Sequence, residues 1–172
     1  MKARIAALAL ALVALPATVS AQLAEGDLQI VSYLHTINQI EKDAGQLAQL
    51  RGTTPMKQLG ATLVIDHTAA DERLVDYARR HGVQSIPLET PDPDHQLLVE
   101  AQRDQLSQDS GRDFDATFMG VVPDAQAAEL KYVDDAIARA RDPALEQMLR
   151  DFELVLKSHE IAFGNFQSYY NY

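Results

Sequence analysis

Three titratable side chains stand where apolar ones would be expected. When residues are stepped at 100° each, Ile30, Leu34, Ile37 and Ala48 fall on one helical stripe, and Asn38, Glu41 and Gly45 fall among them. A second stripe runs Met56, Leu59, Leu63, Ala70, Leu74 and Tyr77, with His67 in its middle. A later one carries Leu145, Leu149, Phe152, Leu156 and Phe163, with His159 between the last two. A carboxylate in such a stripe must protonate, find a donor or bind a cation, because an unpaired buried charge is costly. Converging Glu and His side chains are also how helical bundles build carboxylate-bridged metal sites. Glu41, His67 and His159 are therefore the candidate ligands, with Asp71 and Glu129 as further oxygen donors. Oxygen and imidazole donors suit iron, manganese or zinc, and no Cys is available for softer ions.

The same residues admit a metal-free reading, in which Glu41 and a histidine share a core hydrogen bond and no cofactor is held. Asp66 and Asp71 flank His67, and either could hold an imidazole nitrogen. A two-metal centre needs two Glu-x-x-His motifs, whereas Leu156 stands three residues before His159 and helix two offers only the His67/Asp71 pair. His35 lies off the stripe centre, as a boundary residue would. His81 and His95 sit near helix ends, where neither suggests chemistry. No nucleophile–base motif, phosphate loop or dinucleotide fingerprint is present, so the reading is not an enzyme.

The elements that position these residues follow from punctuation. Leu28 to Arg51 runs without proline and stops at Gly52. Thr54-Pro55 reads as a cap and first helical residue, opening a segment to His81 before Gly82. Residues 83–92 form a loop with two prolines, and Pro93 to Gln108 reads as a short helix. Ser110-Gly111-Arg112-Asp113 resembles a capping box and opens a run to Arg141, in which Pro123 should kink or split the helix at Gly120–Pro123. Its inward stripe reads Phe114, Phe118, Val121, Ala125, Ala128 and Tyr132, with Glu129 on the margin. Asp142-Pro143 starts a last helix that fades near Ser168. Four long segments of similar length, with a long middle connection carrying its own helix, predict an all-α four-helix bundle.

Composition sets the setting. Of 172 residues 47% are hydrophobic, which is too many for a disordered chain, and the absence of Cys excludes disulfide scaffolds. A formal charge of −10 disfavours nucleic acid as a partner. Lys2 and Arg4 precede an apolar run from Ile5 to Leu15, then Pro16 and Val19-Ser20-Ala21, the pattern of a signal peptide cleaved near Ala21–Gln22. Its apolar run is shorter than the roughly 20 residues a membrane span needs. Residues 1–21 are thus read as the signal peptide and 22–172 as a single domain with no transmembrane span, periplasmic or secreted. An envelope protein is a possible partner, and oligomeric state is left open.

The chain resembles a group of exported bacterial proteins with a ferritin-like four-helix domain of unknown function, often labelled as outer membrane proteins. The resemblance rests on Leu34-His35-Thr36-Ile37-Asn38-Gln39-Ile40-Glu41 with Gly45-Gln46-Leu47-Ala48, then Asp66-His67-Thr68-Ala69-Ala70-Asp71 with Leu74 and Ala78. Ser110-Gly111-Arg112-Asp113-Phe114-Asp115 and Leu156-Lys157-Ser158-His159 complete it, over residues 27–166. It implies a ferritin-like fold and an envelope role without an established activity. The outer-membrane label fits poorly, since the sequence has neither alternating strands nor a lipid-anchor cysteine. Many members of the group carry an Asp-His pair in the third long helix. Here the stretch is Pro123-Asp124-Ala125-Gln126, so a histidine is missing and a binding or structural role is favoured over a metal centre.

Overall fold

The computed structural model describes residues 23–89 and 104–170. The described residues are helical with no strand: α1 Glu25–Arg51, α2 Thr54–Arg80, α3 Gly111–Met119, α4 Val122–Arg139 and α5 Pro143–Tyr170. The proposed signal peptide, His95 and most of the short helix expected over 93–108 lie outside the described residues; of that helix, 104–108 is seen and is helical. Among the described residues no helix is long and apolar enough to cross a membrane.

α1 packs along α2 and α4 along α5, while α2 also touches α5 and α1 touches α3 and α4. The first pairing is unusually close because small residues face each other. A Cβ built on Gly45 would stand 2.8 Å from the Gly60 carbonyl oxygen, and one on Gly60 would stand 2.6 Å from the Ala48 Cβ. Side chains larger than hydrogen at either site would push the two helices apart.

Helix ends depart from the expected chemistry in three places. Thr53, not Thr54, is the N-cap of α2, and its side chain makes no capping bond. Instead Asp115, fully buried on α3, accepts from the Thr53 backbone N–H at 3.0 Å and from its hydroxyl at 2.5 Å. A carboxylate from another helix thus sits at the positive end of α2. Gly52 ends α1 with φ −72°, so backbone handedness is not its role. A Cβ there would lie 2.5 Å from the Met56 Cγ, which makes it a close-approach glycine. Ser110 makes no side-chain cap either, and α3 opens on Gly111 at φ 61°.

Pro123 lies in the first turn of a new helix, so the third long segment is split into α3 and α4 at Gly120–Val121. The break advances the inward face by one residue. Val122, Gln126, Glu129, Val133 and Ala136 are buried on α4, whereas the expected Ala125 and Ala128 are exposed. An uninterrupted 3.6-residue period carried through the break puts the wrong residues inside.

Apolar side chains form two clusters. One gathers Ile30, Leu34, Leu74, Val133, Leu149 and Leu156, and the other gathers Ala48, Leu63, Phe114, Phe118, Val122 and Phe163. On every long helix a buried polar residue falls between members of the two: Asn38 and Glu41 on α1, His67 on α2, Gln126 and Glu129 on α4, His159 on α5. The core is a polar layer between two apolar ones.

Candidate functional site

The polar layer is organised around the Gln126 side-chain amide. Its Nε2 donates to Glu41 Oε2 at 3.1 Å and lies 3.3 Å from His67 Nε2, while its Oε1 lies 3.2 Å from His159 Nδ1. With the Gln126 amide in this orientation the hydrogens follow. An amide NH2 has two donors, so His67 Nε2 accepts one and the ring carries its proton on Nδ1. That Nδ1–H donates to Asn38 Oδ1 at 2.9 Å. His159 gives Nδ1 to the Gln126 oxygen, and its Nε2 stands 2.9 Å from Asp66 Oδ2. The two imidazole rings are 5.4 Å apart between centroids, and the edge of Phe152 closes over His67 at 5.8 Å.

Electrostatics bear on the charge of these groups. Burial, followed by the influence of His159, pushes His67 down to about 3, so it is a neutral hydrogen-bonding ring. Burial pushes the Glu41 carboxyl up to about 7, against the lowering effect of the Gln126 donor. Glu129 is raised well above the usual carboxylate range, first by burial and then by the Glu41 charge. Both Glu129 oxygens are buried with no hydrogen-bond partner, as is Asn38 Nδ2. An unpaired buried carboxyl of this kind is held as the neutral acid.

Glu41, His67 and His159 therefore do converge, each on a different long helix, through a shared glutamine. Asp71 does not join them. It accepts from His35 Nδ1 at 2.5 Å and from Gln39 Nε2 at 2.6 Å, a separate, part-buried cluster of α1 and α2. Asp66, not Asp71, holds an imidazole of the core, and the imidazole is that of His159. His81 caps α2 as expected of a helix-end histidine, bonding the Tyr77 carbonyl oxygen at 2.9 Å and lying 3.1 Å from Asp142. Among the described residues, no three His, Asp or Glu side chains are gathered as a metal ion would require. The position between Glu41, His67 and His159 that a ligand set would enclose is taken by the Gln126 amide.

Gln126 is the residue that sequence reasoning passed over. Its only signal was the stretch Pro123-Asp124-Ala125-Gln126, read as the loss of a histidine rather than the gain of a core amide. Glu129, read as marginal, is only 2% exposed.

Comparison with curated proteins and with solved structures found no match to either. A family model described as Domain of unknown function (DUF4142) matches residues 13–163, most of the chain. The polar layer, with every residue that builds it, lies inside the matched span, and the chain belongs to the DUF4142 family.

Proposed function

We propose that this chain is an exported, ferritin-like four-helix-bundle protein of the cell envelope that acts by binding or scaffolding rather than by turnover. Export is supported by the charged start, the apolar run Ile5–Leu15 and the small residues before Gln22. The bundle reading is supported by α1, α2, the α3–α4 pair and α5, which pack pairwise around one polar layer. One observation carries the non-enzymatic reading: Gln126 uses both of its amide hydrogens and its oxygen on Glu41, His67 and His159. The groups with acid–base or ligand chemistry are thereby consumed in holding four helices in register.

A second reading is favoured by Glu129 alone. A buried carboxyl with two unpartnered oxygens, close enough to Glu41 to feel its charge, is a place where a cation would relieve a desolvation cost. Glu41 and Glu129 would hold iron, manganese or zinc there, joined by whichever imidazole Gln126 releases. Such an ion would supply Lewis-acid or redox chemistry.

Elemental mass spectrometry separates the readings. It should be applied to protein purified from its native compartment without tags or chelators, beside a folded Glu41→Ala, His67→Ala, His159→Ala variant. Substoichiometric metal in both, persisting after reconstitution, supports the hydrogen-bonded core. Near-stoichiometric metal in the wild type that is missing from the variant establishes the cation site instead.

A further inference from the structure

Two tyrosines meet where α1 faces α4, apart from the hydrogen bonds of Gln126. Tyr33 and Tyr132 stack with ring centroids 3.7 Å apart and planes 25° apart. At that separation ring carbons are in van der Waals contact. Neither ring is sealed from solvent: both are half-buried, whereas Tyr77 is 1% exposed and its hydroxyl donates to Asp142. Arg139 lies over the Tyr132 ring, 5.4 Å from its centroid. Burial first, then the charges of Glu129, Tyr132 and Glu89, push the Tyr33 hydroxyl up to about 12. Burial raises Tyr132 as well, against the lowering influence of Arg139. Both phenols are therefore neutral near pH 7, and each must release its proton when it gives up an electron. Glu89 acts on both rings and is the carboxylate base that the surroundings offer.

We propose that Tyr33 and Tyr132 form an oxidative modification site, at which two equivalents of a one-electron oxidant of the high-valent metal class join the rings into an internal dityrosine. Each phenol loses one electron to the oxidant and its hydroxyl proton to Glu89 or water. The two phenoxyl radicals carry spin on the Cε carbons beside the oxygen, and a Cε–Cε bond forms between them. Each of those carbons then gives up its hydrogen as a proton, and each phenolic oxygen regains one. One C–C bond replaces two C–H bonds, two protons are released, and both oxidant equivalents leave reduced. Contact selects the pair, because coupling needs two short-lived radicals to meet and the stack already holds them together. The link ties the α1–α2 pair to the α4–α5 pair and closes a loop of about 100 residues. This site does not depend on export, nor on whether the core holds a cation.

The test treats dilute, folded protein purified from its native compartment with photogenerated ruthenium(III) tris-bipyridyl, with persulfate as the terminal electron acceptor. The reaction is run until Tyr169, which is 78% exposed, is consumed, so delivery of oxidant is certain. The expected product is a monomer carrying the fluorescence of dityrosine, and its digest contains a peptide pair joined at Tyr33 and Tyr132 with two hydrogens missing. That monomer melts at a higher temperature than the untreated protein, as a covalent tie across so long a loop requires. Tyr33→Phe, folded by circular dichroism, keeps an aromatic ring in the stack and loses the joined peptide, while Tyr169→Phe retains it. Unfolding in urea before oxidation lowers the yield of that peptide at least about tenfold, since proximity is then lost. Consumption of Tyr169 with no Tyr33–Tyr132 peptide would overturn the site. An equal yield from the unfolded chain would overturn it too, because the stack would then have no part in choosing the pair.

Discussion

Replacing Glu41 with Gln should change how stability depends on pH. Glu41 is buried among α1, α2 and α4, and its carboxyl is raised from 4.5 to about 7. A group whose folded pKa is raised binds its proton more tightly when folded. Its stabilising contribution is therefore complete below the unfolded value near 4.5 and is lost as pH rises through about 7. At about 1.4 kcal/mol for each tenfold, the full swing is about 3 kcal/mol. With a urea dependence of about 2 kcal/mol per molar, that is about 1.5 M in the unfolding midpoint. Glu41→Gln keeps an oxygen acceptor for the Gln126 NH2 and cannot ionise, so its own contribution to the swing vanishes. It also removes the charge that helps raise Glu129, which changes the result in the same direction. The assay is urea unfolding of both proteins, followed by circular dichroism from acid to mildly alkaline pH. The difference in midpoint, Glu41→Gln minus wild type, should grow by about 1.5 M across that range. Comparing the two cancels the exposed carboxylates, including Asp142 and Asp151, whose lowered pKa values act in the opposite sense. Parallel curves would refute the reasoning, since they would mean that Glu41 ionises in the fold as readily as in water.

Other substitutions address the remaining arguments. Gln126→Leu leaves Glu41, His67 and His159 without their common partner and should cost about 3 kcal/mol or more by urea denaturation. Gly60→Ala drives a methyl into Ala48 and the Gly45 carbonyl, costing about 1–3 kcal/mol and several degrees of Tm; Gly164→Ala, with nothing within 4 Å of the new methyl, should stabilise by about 0.5–1 kcal/mol. Asp115→Ala removes both acceptors at the start of α2 and should cost about 2 kcal/mol, with faster amide exchange in the first turn of α2.

Much of this arrangement was legible before the fold was known, for reasons that differ along the chain. α1, α2 and α5 are unbroken, so a 100° step placed Glu41, His67 and His159 inward without error. The third long segment failed the same treatment because Gly120–Val121 interrupts the period, and one residue of offset exchanges Ala125 for Gln126. Partner choice was also hidden. Asp66 and Asp71 both flank His67 in sequence, yet one bonds His159 on α5 and the other bonds His35 on α1. Neither choice follows from spacing along α2, because both depend on which helix packs against each face. Capping was misread for a similar reason: the donor groups of Thr53 are satisfied by Asp115, 62 positions away.

The claim that Gln126 organises a hydrogen-bonded core is tested most directly by the histidine ring nitrogens. Long-range ¹⁵N–¹H spectra of labelled protein report the tautomer and charge of each imidazole. The account predicts a neutral His67 with its hydrogen on Nδ1, unchanged through the physiological pH range, and loss of that signature in Gln126→Leu. A His67 that titrates within that range, or that carries its hydrogen on Nε2, would contradict it.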